Sequence, residues 1–211
     1  MSKVICQLSI SLDGFVAGPD QSRTHPLGRG GEQLHTWAHR LENWRSRQGL
    51  TGGVRTVSAD VLDDVTEGVG AYVMGRRMFG DGPGPWDESW TGWWGEDPPF
   101  RAPVYVLSHH PRAPLPMRGG TEFRFVTDGI DSALRQAREA AGDRDVAVAG
   151  GAETARQYLA AALLDELHLH LVPVLLGAGE RLLVNVGRPA LEQDRVVVGD
   201  QVTHLRYRFP R

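Results

Sequence analysis

The hydrophobic pattern of the chain alternates between short apolar runs and longer amphipathic stretches. Eight runs rich in Val, Leu, Ile or Tyr, most of them bounded by Gly, Pro or Asp, predict β-strands. They cover residues 3–10, 70–74, 103–108, 122–126, 145–149, 165–173, 194–199 and 202–209. Apolar residues at helical spacing predict helices at 32–46, 58–66, 131–141 and 153–164. Asp131 is placed to cap one helix, and another is expected to begin at Ser58 or Asp60.

The order of these elements predicts a mixed α/β domain over residues 1–211. Strands that alternate with helices need crossover connections, which favour a largely parallel sheet. The last two strands differ, because only "GDQ" separates their apolar runs, and this predicts an antiparallel hairpin at the end of the sheet. The Gly-, Pro- and Trp-rich piece from Gly80 to Pro99 is interpreted as a long loop, since a strand follows it directly.

Composition excludes several classes of protein. The 211 residues are 41% hydrophobic and 23% charged, which favours a substantial core over disorder. A net charge of -3 gives no support to a nucleic-acid partner or an anionic membrane surface. The single cysteine, Cys6, cannot form an internal disulfide, and neither a signal peptide nor a membrane-spanning run is visible. We therefore expect a soluble cytoplasmic protein.

Two junctions between a strand and a helix carry residues suited to phosphate. In "YVMGRRMFG" a strand ends at Gly75 and a helical turn begins at Arg76. In "DVAVAGGAETARQYL" a strand ends at Gly150 and Gly151 before a helix begins. A glycine pair lets a ligand approach the backbone, and the free N–H groups of a helix start attract phosphate. The alternative is that both glycines only make a tight turn.

A third junction follows the strand in "VYVLSHHPR", where Ser108 and His109 end up at the carboxyl edge of the sheet. Open α/β sheets bind ligands at this edge. Together with Arg76 and Arg77, these residues are candidates to surround an additional phosphate, such as the 2′-phosphate of NADPH. The alternative for each residue is a place in a solvated basic loop.

Five motifs in this order carry a resemblance to a known family. They are "SLDGFVAGPD", "VMGRRMF", "VYVLSHHPR", "DVAVAGGAETARQYL" and "DELHLHLVPVLLGAGERLL". Together they resemble the dihydrofolate reductase-like superfamily, in the branch similar to the C-terminal reductase domain of the bifunctional riboflavin-biosynthesis protein. The resemblance implies a three-layer fold around an eight-stranded mixed sheet, NADPH as hydride donor, and a homodimer.

The resemblance also assigns groups of residues to the cofactor. The phosphates would meet Gly75, Arg76, Arg77 and Met78. The adenosine ribose with its 2′-phosphate would meet Leu107, Ser108 and His109. The pyrophosphate would meet Gly150, Gly151, Ala152, Glu153 and Thr154, and the nicotinamide would lie beside Val16, Ala17 and Gly18. Met78 departs from the family, in which folate reductases carry a hydroxyl residue, so one side-chain phosphate contact is lost.

A second departure concerns the catalytic acid. Folate reductases use a carboxylate on the first helix, in a pattern like Ala-Asp-Leu-x-x-Phe. "GGEQLHTW" fits this pattern with Leu34 and Trp37 at its apolar positions, which puts Gln33 in the place of the carboxylate and Glu32 beside it. A glutamine cannot give up a proton at neutral pH, so we do not expect efficient dihydrofolate reduction. The candidate proton donors are Glu32, then Asp13, then water, although an Asp-Gly turn also explains Asp13.

Aromatic and histidine residues supply weaker candidates. Trp37, Trp86 and Trp90 are the candidate substrate contacts, although the tryptophans of the loop could equally anchor it. His35 and His39 are four residues apart, but no third ligand accompanies them, so no metal site is predicted.

The resulting hypothesis is an NADPH-dependent reductase of a small heterocyclic, carbonyl or imine substrate. One alternative uses a flavin or deazaflavin in the same cleft. Another is a nucleotide- or drug-binding protein without catalysis, which the glutamine at position 33 favours. The strand "LHLHLVPVLL" carries apolar and imidazole side chains on both faces, so a homodimer formed partly through residues 165–176 is also expected.

Overall fold

The computed structural model of the chain describes residues 2–80 and 82–210. Its strands, in chain order, are β1 (Val4–Ser11), β2 (Phe15–Ala17), β3 (Val69–Gly75), β4 (Pro103–Leu107), β5 (Leu115–Pro116), β6 (Glu122–Val126), β7 (Asp145–Gly150), β8 (Glu166–Val172), β9 (Glu180–Arg181), β10 (Glu192–Gly199) and β11 (Val202–Arg208). Within these residues nine of the strands form one sheet, and β2 pairs with β9 separately.

Six neighbouring strands of the large sheet run parallel. The order across the sheet is β10-β11-β8-β1-β7-β3-β4-β6-β5, and the parallel block extends from β8 to β6. At one edge β11 and β10 are antiparallel, as the hairpin pattern predicts. The α/β class and each of the eight predicted strands are confirmed. The ninth strand, β5, was not predicted because two residues that include a proline show no alternation.

Helices cover both faces of this sheet. They are α1 (Thr36–His39), α2 (Glu42–Arg47), α3 (Val57–Thr66), α4 (Arg76–Phe79), α5 (Ile130–Ala141) and α6 (Ala152–Ala160). Successive residues of a strand face opposite sides, and β1 shows the result. Val4 and Cys6 pack in one core with Ala137 of α5, whereas Ile5 packs with Val65 of α3. Among the described residues, the helices are all too short or too polar to cross a membrane.

The predicted helix at 32–46 is wrong in one respect, because it is broken into three pieces. A 3₁₀ turn over Gly31–His35 precedes α1, and α2 follows. The break is at Leu41, which has an extended backbone (ψ 137°) and lies in a β-bridge with Val54. The backbone amide of Glu42 donates to Val54 O at 3.0 Å. Pairing with this neighbouring segment replaces the helical hydrogen bonds that the apolar pattern alone predicts.

Helix ends also differ from the prediction. Asp131 does not cap α5, which begins at Ile130 with Gly129 at its N-cap. α3 begins at Val57, one residue before Ser58 and three before Asp60, with Thr56 as its N-cap residue. α6 ends at Ala160, four residues earlier than predicted. Each difference is a shift of one to four residues, which apolar periodicity does not determine.

Strand β8 is not the exposed surface that its composition suggests. It lies inside the sheet between β1 and β11, and His168 and His170 are buried. The strand part of the expected dimer interface at 165–176 is therefore covered by the chain itself, and the homodimer stays a prediction. Exposed apolar residues occur instead on the edge strand β10, where Val196 and Val198 are 45% and 76% exposed.

Candidate active site

Three adjacent strands end beside one another at the carboxyl edge of the sheet. They are β7, β3 and β4, which end at Gly150, Gly75 and Leu107. Because the strands are parallel, each of the three predicted junctions opens toward the same side. The structure thus brings together the glycine pair, the arginine pair and the turn at Ser108.

The junction after β7 is open to a ligand. Gly150 has φ +123°, a conformation that favours glycine, and the peptide bond to Gly151 is cis. A β-carbon added at Gly151 would meet no atom within 4 Å. Helix α6 begins at the next residue, so the N–H groups of Ala152, Glu153 and Thr154 belong to its first turn, where backbone donors lack helical partners. Open space beside Gly151, next to these donors in sequence, suits an anionic group such as a phosphate.

The junction after β3 packs directly on this helix start. A β-carbon at Gly75 would overlap the hydroxyl oxygen of the buried Thr154. Met78, in the turn that follows, lies with its sulfur 3.4 Å from the position of a β-carbon at Gly150. Gly75 is therefore required for close packing, and Met78 has an apolar contact where the family pattern expects a hydroxyl.

The two arginines of this junction point in different directions. The guanidinium carbon of Arg76 lies 3.8 Å from the ring centroid of Trp86. Arg77 instead makes an ion pair with Glu180 at 2.8 Å. Arg77 also contributes to the lowered pKa of Glu153, although the hydrogen bond from Arg156 is the larger cause. Arg77 thus lies toward Glu180 and α6, whereas Arg76 lies on Trp86, and a shared place around one phosphate stays a prediction.

The turn after β4 connects to the Arg76 side of the site. Ser108 Oγ accepts a hydrogen bond from the His110 amide and donates to the His110 carbonyl, both at 3.0 Å. The indole N–H of Trp86 donates to the same carbonyl at 2.8 Å. His109 is exposed, and Leu107 is half-buried. Ser108 shapes the turn, and His109 is the side chain of this motif that is accessible to a ligand.

The segment of Val16, Ala17 and Gly18 is rigid and mostly buried. Val16 and Ala17 are 8% and 6% exposed, and β2 pairs with β9. The Gly18 amide donates to Leu27 O at 2.8 Å, and a β-carbon at Gly18 would overlap the backbone of Arg29. A β-carbon at Gly31 would lie 3.1 Å from Gly18 N. The 3₁₀ turn that begins at Gly31 is therefore held against this segment.

That turn carries the candidate proton donor and its neighbour. Glu32 and Gln33 are exposed, whereas Leu34 and Trp37 are buried, as the apolar positions of the family pattern require. The Gln33 side-chain amide donates to Gly30 O at 3.1 Å. Gln33 therefore folds back on its own turn and leaves Glu32 as the exposed carboxylate there.

Asp13 anchors the backbone that follows β8. Its Oδ1 accepts hydrogen bonds from Ser11 Oγ at 2.6 Å and from Leu176 N at 3.2 Å. Its Oδ2 accepts from Gly177 N at 2.7 Å. These hydrogen bonds, led by that of Ser11, lower the pKa of Asp13 to about 2. Both oxygens of the carboxylate are thus already hydrogen-bonded within the protein.

The tryptophans mainly anchor the structure. Trp37 is buried and its indole N–H donates to Leu34 O at 3.0 Å, so it packs in the core instead of facing a substrate. Trp90 donates to Phe79 O at 3.0 Å. Trp86 and Trp90 are only half-buried, yet both pack on an aromatic cluster around Phe79.

A cleft of about 700 Å³ adjoins the arginine pair. The turn after β3 and the tryptophan loop form one side of its wall, and a loop around Arg23 forms the other. The loop around Arg23 was not predicted from the sequence. Arg23 pairs with Asp87 at 2.7 Å and lies 4.6 Å from the Trp90 ring centroid. No local pattern marks this loop, because its contacts are with residues about 60 positions later. The lining residues are Gln21, Ser22, Arg23, Pro26, Arg76, Arg77, Gly80, Gly82, Pro83 and Trp93.

Comparison with known families agrees with this arrangement. The family model described as the RibD C-terminal domain matches residues 2–205. The chain belongs to this family. No curated protein sequence matches it.

Solved structures show the same dihydrofolate reductase-like fold as this RibD C-terminal domain. A protein assigned to riboflavin biosynthesis from Shewanella sp. PV-4 is 22% identical with a TM-score of 0.63, over 99% of each chain. A diaminohydroxyphosphoribosylaminopyrimidine deaminase/5-amino-6-(5-phosphoribosylamino)uracil reductase from Thermotoga maritima is 16% identical with a TM-score of 0.59, over 99% of this chain and 57% of that one. Dihydrofolate reductase from Enterococcus faecalis, solved with NADP(H), is 10% identical with a TM-score of 0.53, over 99% and 97%. These likenesses show a shared fold.

Away from the cleft, this RibD C-terminal domain contains a buried chain of polar side chains. His170 Nε2 lies 2.7 Å from Gln7 Nε2, and its Nδ1 lies 2.7 Å from Nδ1 of His204. His204 Nε2 lies 2.9 Å from Ser58 Oγ. One imidazole must donate to the other, so the pair cannot be protonated on all ring nitrogens. Burial lowers the pKa of His170 well below 6.5 and that of His204 to about 4.

We expect this histidine pair to make the fold sensitive to mild acid. Unfolded imidazoles bind protons below pH 6.5 while the buried ones stay neutral, so stability is lost as the pH falls from 6.5 toward 4. The slope is up to about 1.4 kcal/mol per pH unit for each imidazole. Urea unfolding at pH 7.5, 6.5, 5.5 and 5 measures this slope, and these values lie above the pH range in which ordinary carboxylates titrate. His204→Gln should reduce the slope. A free energy of unfolding that is constant over this range contradicts the interpretation.

His35 and His39 lie in different elements of the structure. His35 lies in the 3₁₀ turn and His39 in α1, where its ring packs 4.6 Å from that of Trp44. In residues 2–80 and 82–210, no group of three or more His, Cys, Asp or Glu side chains is arranged to hold an ion.

Proposed function

We propose that this protein is an NADPH-dependent reductase that transfers hydride to a small heterocyclic, carbonyl or imine substrate. The observation that carries the proposal is the meeting of three junctions, at Gly75, Ser108 and Gly150–Gly151, on one edge of three adjacent parallel strands. Membership of the RibD C-terminal domain family and the fold shared with an NADP(H)-bound dihydrofolate reductase support the same function.

The residues at this edge fit the parts of the cofactor. The open space at Gly151 and the first-turn amides of α6 suit the pyrophosphate. Arg76, beside the turn that carries His109, suits the 2′-phosphate. When bound, NADPH supplies the hydride, and the protein supplies orientation and electrostatics.

Glu32 is the proposed proton donor of the site. It is the exposed carboxylate of the turn that packs against the Val16–Gly18 segment, where the nicotinamide is expected. Three hydrogen bonds occupy both carboxylate oxygens of Asp13, and Gln33 has no acidic proton. Glu32 would deliver a proton to the atom next to the carbon that accepts hydride.

Ligand binding and turnover test the proposal together. NADPH should raise the thermal unfolding midpoint more than NADH, FMN or a folate analogue does. Its absorbance should then decay with an acceptor from a panel of cyclic imines, carbonyl compounds and phosphoribosylamino-pyrimidines, the class for which the Thermotoga maritima enzyme is named. A larger shift with FMN than with NADPH would overturn the choice of cofactor.

A nucleotide-binding protein without reductase activity is the second candidate. Gln33 in the place of the family's carboxylate favours it. The two candidates give different results in the same experiment. NADPH that binds tightly but is not oxidised with any acceptor in the panel supports the second candidate.

The different positions of Arg76 and Arg77 predict different effects of their removal. Arg76→Ala should weaken NADPH binding by about 1–3 kcal/mol, the contribution of a lost charge-assisted hydrogen bond, and leave NADH nearly unchanged. Arg77→Ala should weaken both nucleotides alike, because Arg77 lies toward α6 and Glu180. Calorimetric titration of each variant with both nucleotides measures these effects. Equal affinity of the native protein for NADPH and NADH contradicts the assignment.

We also propose that the protein forms a homodimer, now through the edge strand β10. Val196 and Val198 lie on one face of this strand and are exposed. Light scattering should give a mass near twice 23.2 kDa at micromolar concentration. Replacement of both valines by Glu should give a monomer, whereas Leu50→Glu, at another exposed apolar position, should not. A native mass near 23.2 kDa contradicts the dimer.

A further inference from the structure

We infer that Trp86 is a positioning residue that orients Arg76 and thereby sets the preference for a 2′-phosphorylated nucleotide. This inference rests on the proposed function, because it assumes that Arg76 contacts the 2′-phosphate. It gives Trp86 a role different from the substrate contact that its place in a Trp-rich loop predicts.

Contact with the indole determines where the charge of Arg76 lies. The guanidinium carbon is 3.8 Å from the ring centroid of Trp86, within the range of a cation–π interaction. The Arg76 Nη2 also donates to the carbonyl of Pro85, the residue before Trp86, at 3.2 Å. An arginine side chain has several rotatable bonds, so an exposed one would sample many positions. Stacking on a fixed ring removes most of this freedom before a nucleotide binds.

Trp86 is itself held in place. Its N–H donates to the His110 carbonyl at 2.8 Å, and its ring makes edge contacts with Phe125 and Phe79 at centroid distances of 4.8 and 5.8 Å. His110 belongs to the same turn as His109. The indole therefore connects the junction after β3 with the junction after β4, the two places at which the adenosine end of the cofactor is expected.

Arg112 supports the indole from the β4 side of the site. Its guanidinium carbon lies 5.4 Å from the Trp86 centroid and 5.2 Å from that of Phe125. The side chain is 3% exposed, and it donates from Nε and Nη2 to Glu88 at 3.2 and 3.0 Å. A buried cation in contact with several rings fixes their positions by packing as well as by charge. Trp86 consequently has little room to turn away from Arg76.

A double-mutant cycle tests the inference. The proteins are the native chain, Trp86→Leu, Arg76→Ala and the double variant, each titrated with NADPH and NADH. Trp86→Leu should weaken NADPH about 3- to 10-fold, the range expected for loss of one cation–π contact, and change NADH less than 2-fold. In the Arg76→Ala background, Trp86→Leu should have no further effect on NADPH. A purely structural role of Trp86 would instead weaken both nucleotides in both backgrounds.

Two further variants distinguish loss of the contact with Arg76 from a folding defect. Trp86→Phe retains an aromatic face without the hydrogen bond to His110, so it should keep most of the preference for NADPH. Trp94→Phe is the matched control, since Trp94 lies in the same loop but packs on Phe100 and Phe123, and it should behave as the native protein. If Arg76→Ala lowers the preference and both Trp86 variants leave it unchanged, the inference is wrong and the proposed function stands. If Arg76→Ala leaves the preference unchanged, the assignment of Arg76 is wrong and the inference fails with it.

Discussion

Gly151→Val should leave the protein folded but lower its affinity for NADPH by about 100-fold or more, equivalent to losing one or two charge-assisted hydrogen bonds. The fold should tolerate the change, because Gly151 has φ −69° and a β-carbon there meets no atom within 4 Å. The valine would instead occupy the open space beside Gly151, where the pyrophosphate is expected. Calorimetric titration with NADPH measures the loss.

A control for this substitution exists at the opposite edge of the sheet. Gly68 is exposed at the amino end of β3, and a β-carbon there would make only an ordinary contact of 3.7 Å with Asp145. Gly68→Val should bind NADPH as the native protein does, with a similar thermal unfolding midpoint. Normal NADPH affinity in Gly151→Val would show that the glycine pair is only a turn.

Glu32→Gln should lower the rate of reduction by about 100- to 10,000-fold, the usual contribution of a general acid, while leaving NADPH affinity unchanged. The reason is that Glu32 is the exposed carboxylate of its turn, whereas Gln33 is neutral and both oxygens of Asp13 already accept hydrogen bonds. Single-turnover kinetics with the best acceptor of the panel measures the effect. Glu67→Gln, at an exposed glutamate after α3, is the matched control and should be unaffected.

Dihydrofolate, used as the substrate, provides a second test of the proton donor. The native protein should reduce it poorly, because Gln33 stands where the resemblance places the carboxylate that protonates N5, and Gln33→Asp should raise this turnover by restoring that carboxylate. Efficient native turnover of dihydrofolate that survives Glu32→Gln would show that the proton donor lies elsewhere.

The sheet could be predicted from the sequence because its signals are local. Each buried strand is a short apolar run between Gly, Pro or Asp residues, and the eight longer strands follow from this pattern. The break at Leu41 could not be predicted, since it depends on pairing with Val54, which has no apolar pattern of its own. The location of β8 inside the sheet also depends on which strands become its neighbours, and its apolar sequence fits a buried strand as well as an interface.

The sequence predicts the backbone of the candidate site but not the positions of its side chains. The junctions at Gly75 and Gly150 follow from glycines at the ends of strands, and the parallel sheet brings them together. The separation of Arg76 from Arg77 requires the positions of Trp86 and Glu180, which are distant in sequence. The pKa of Asp13 likewise depends on backbone amides about 160 residues away.

A structure of the protein crystallised with NADPH tests the central claim most directly, namely that the cofactor lies across the ends of β7, β3 and β4. We predict the pyrophosphate within hydrogen-bonding distance of the amides of residues 152–154 and the 2′-phosphate within reach of Arg76. The nicotinamide should lie beside the Val16–Gly18 segment. NADPH bound at another surface, or the absence of bound NADPH at saturating concentration, would contradict the account.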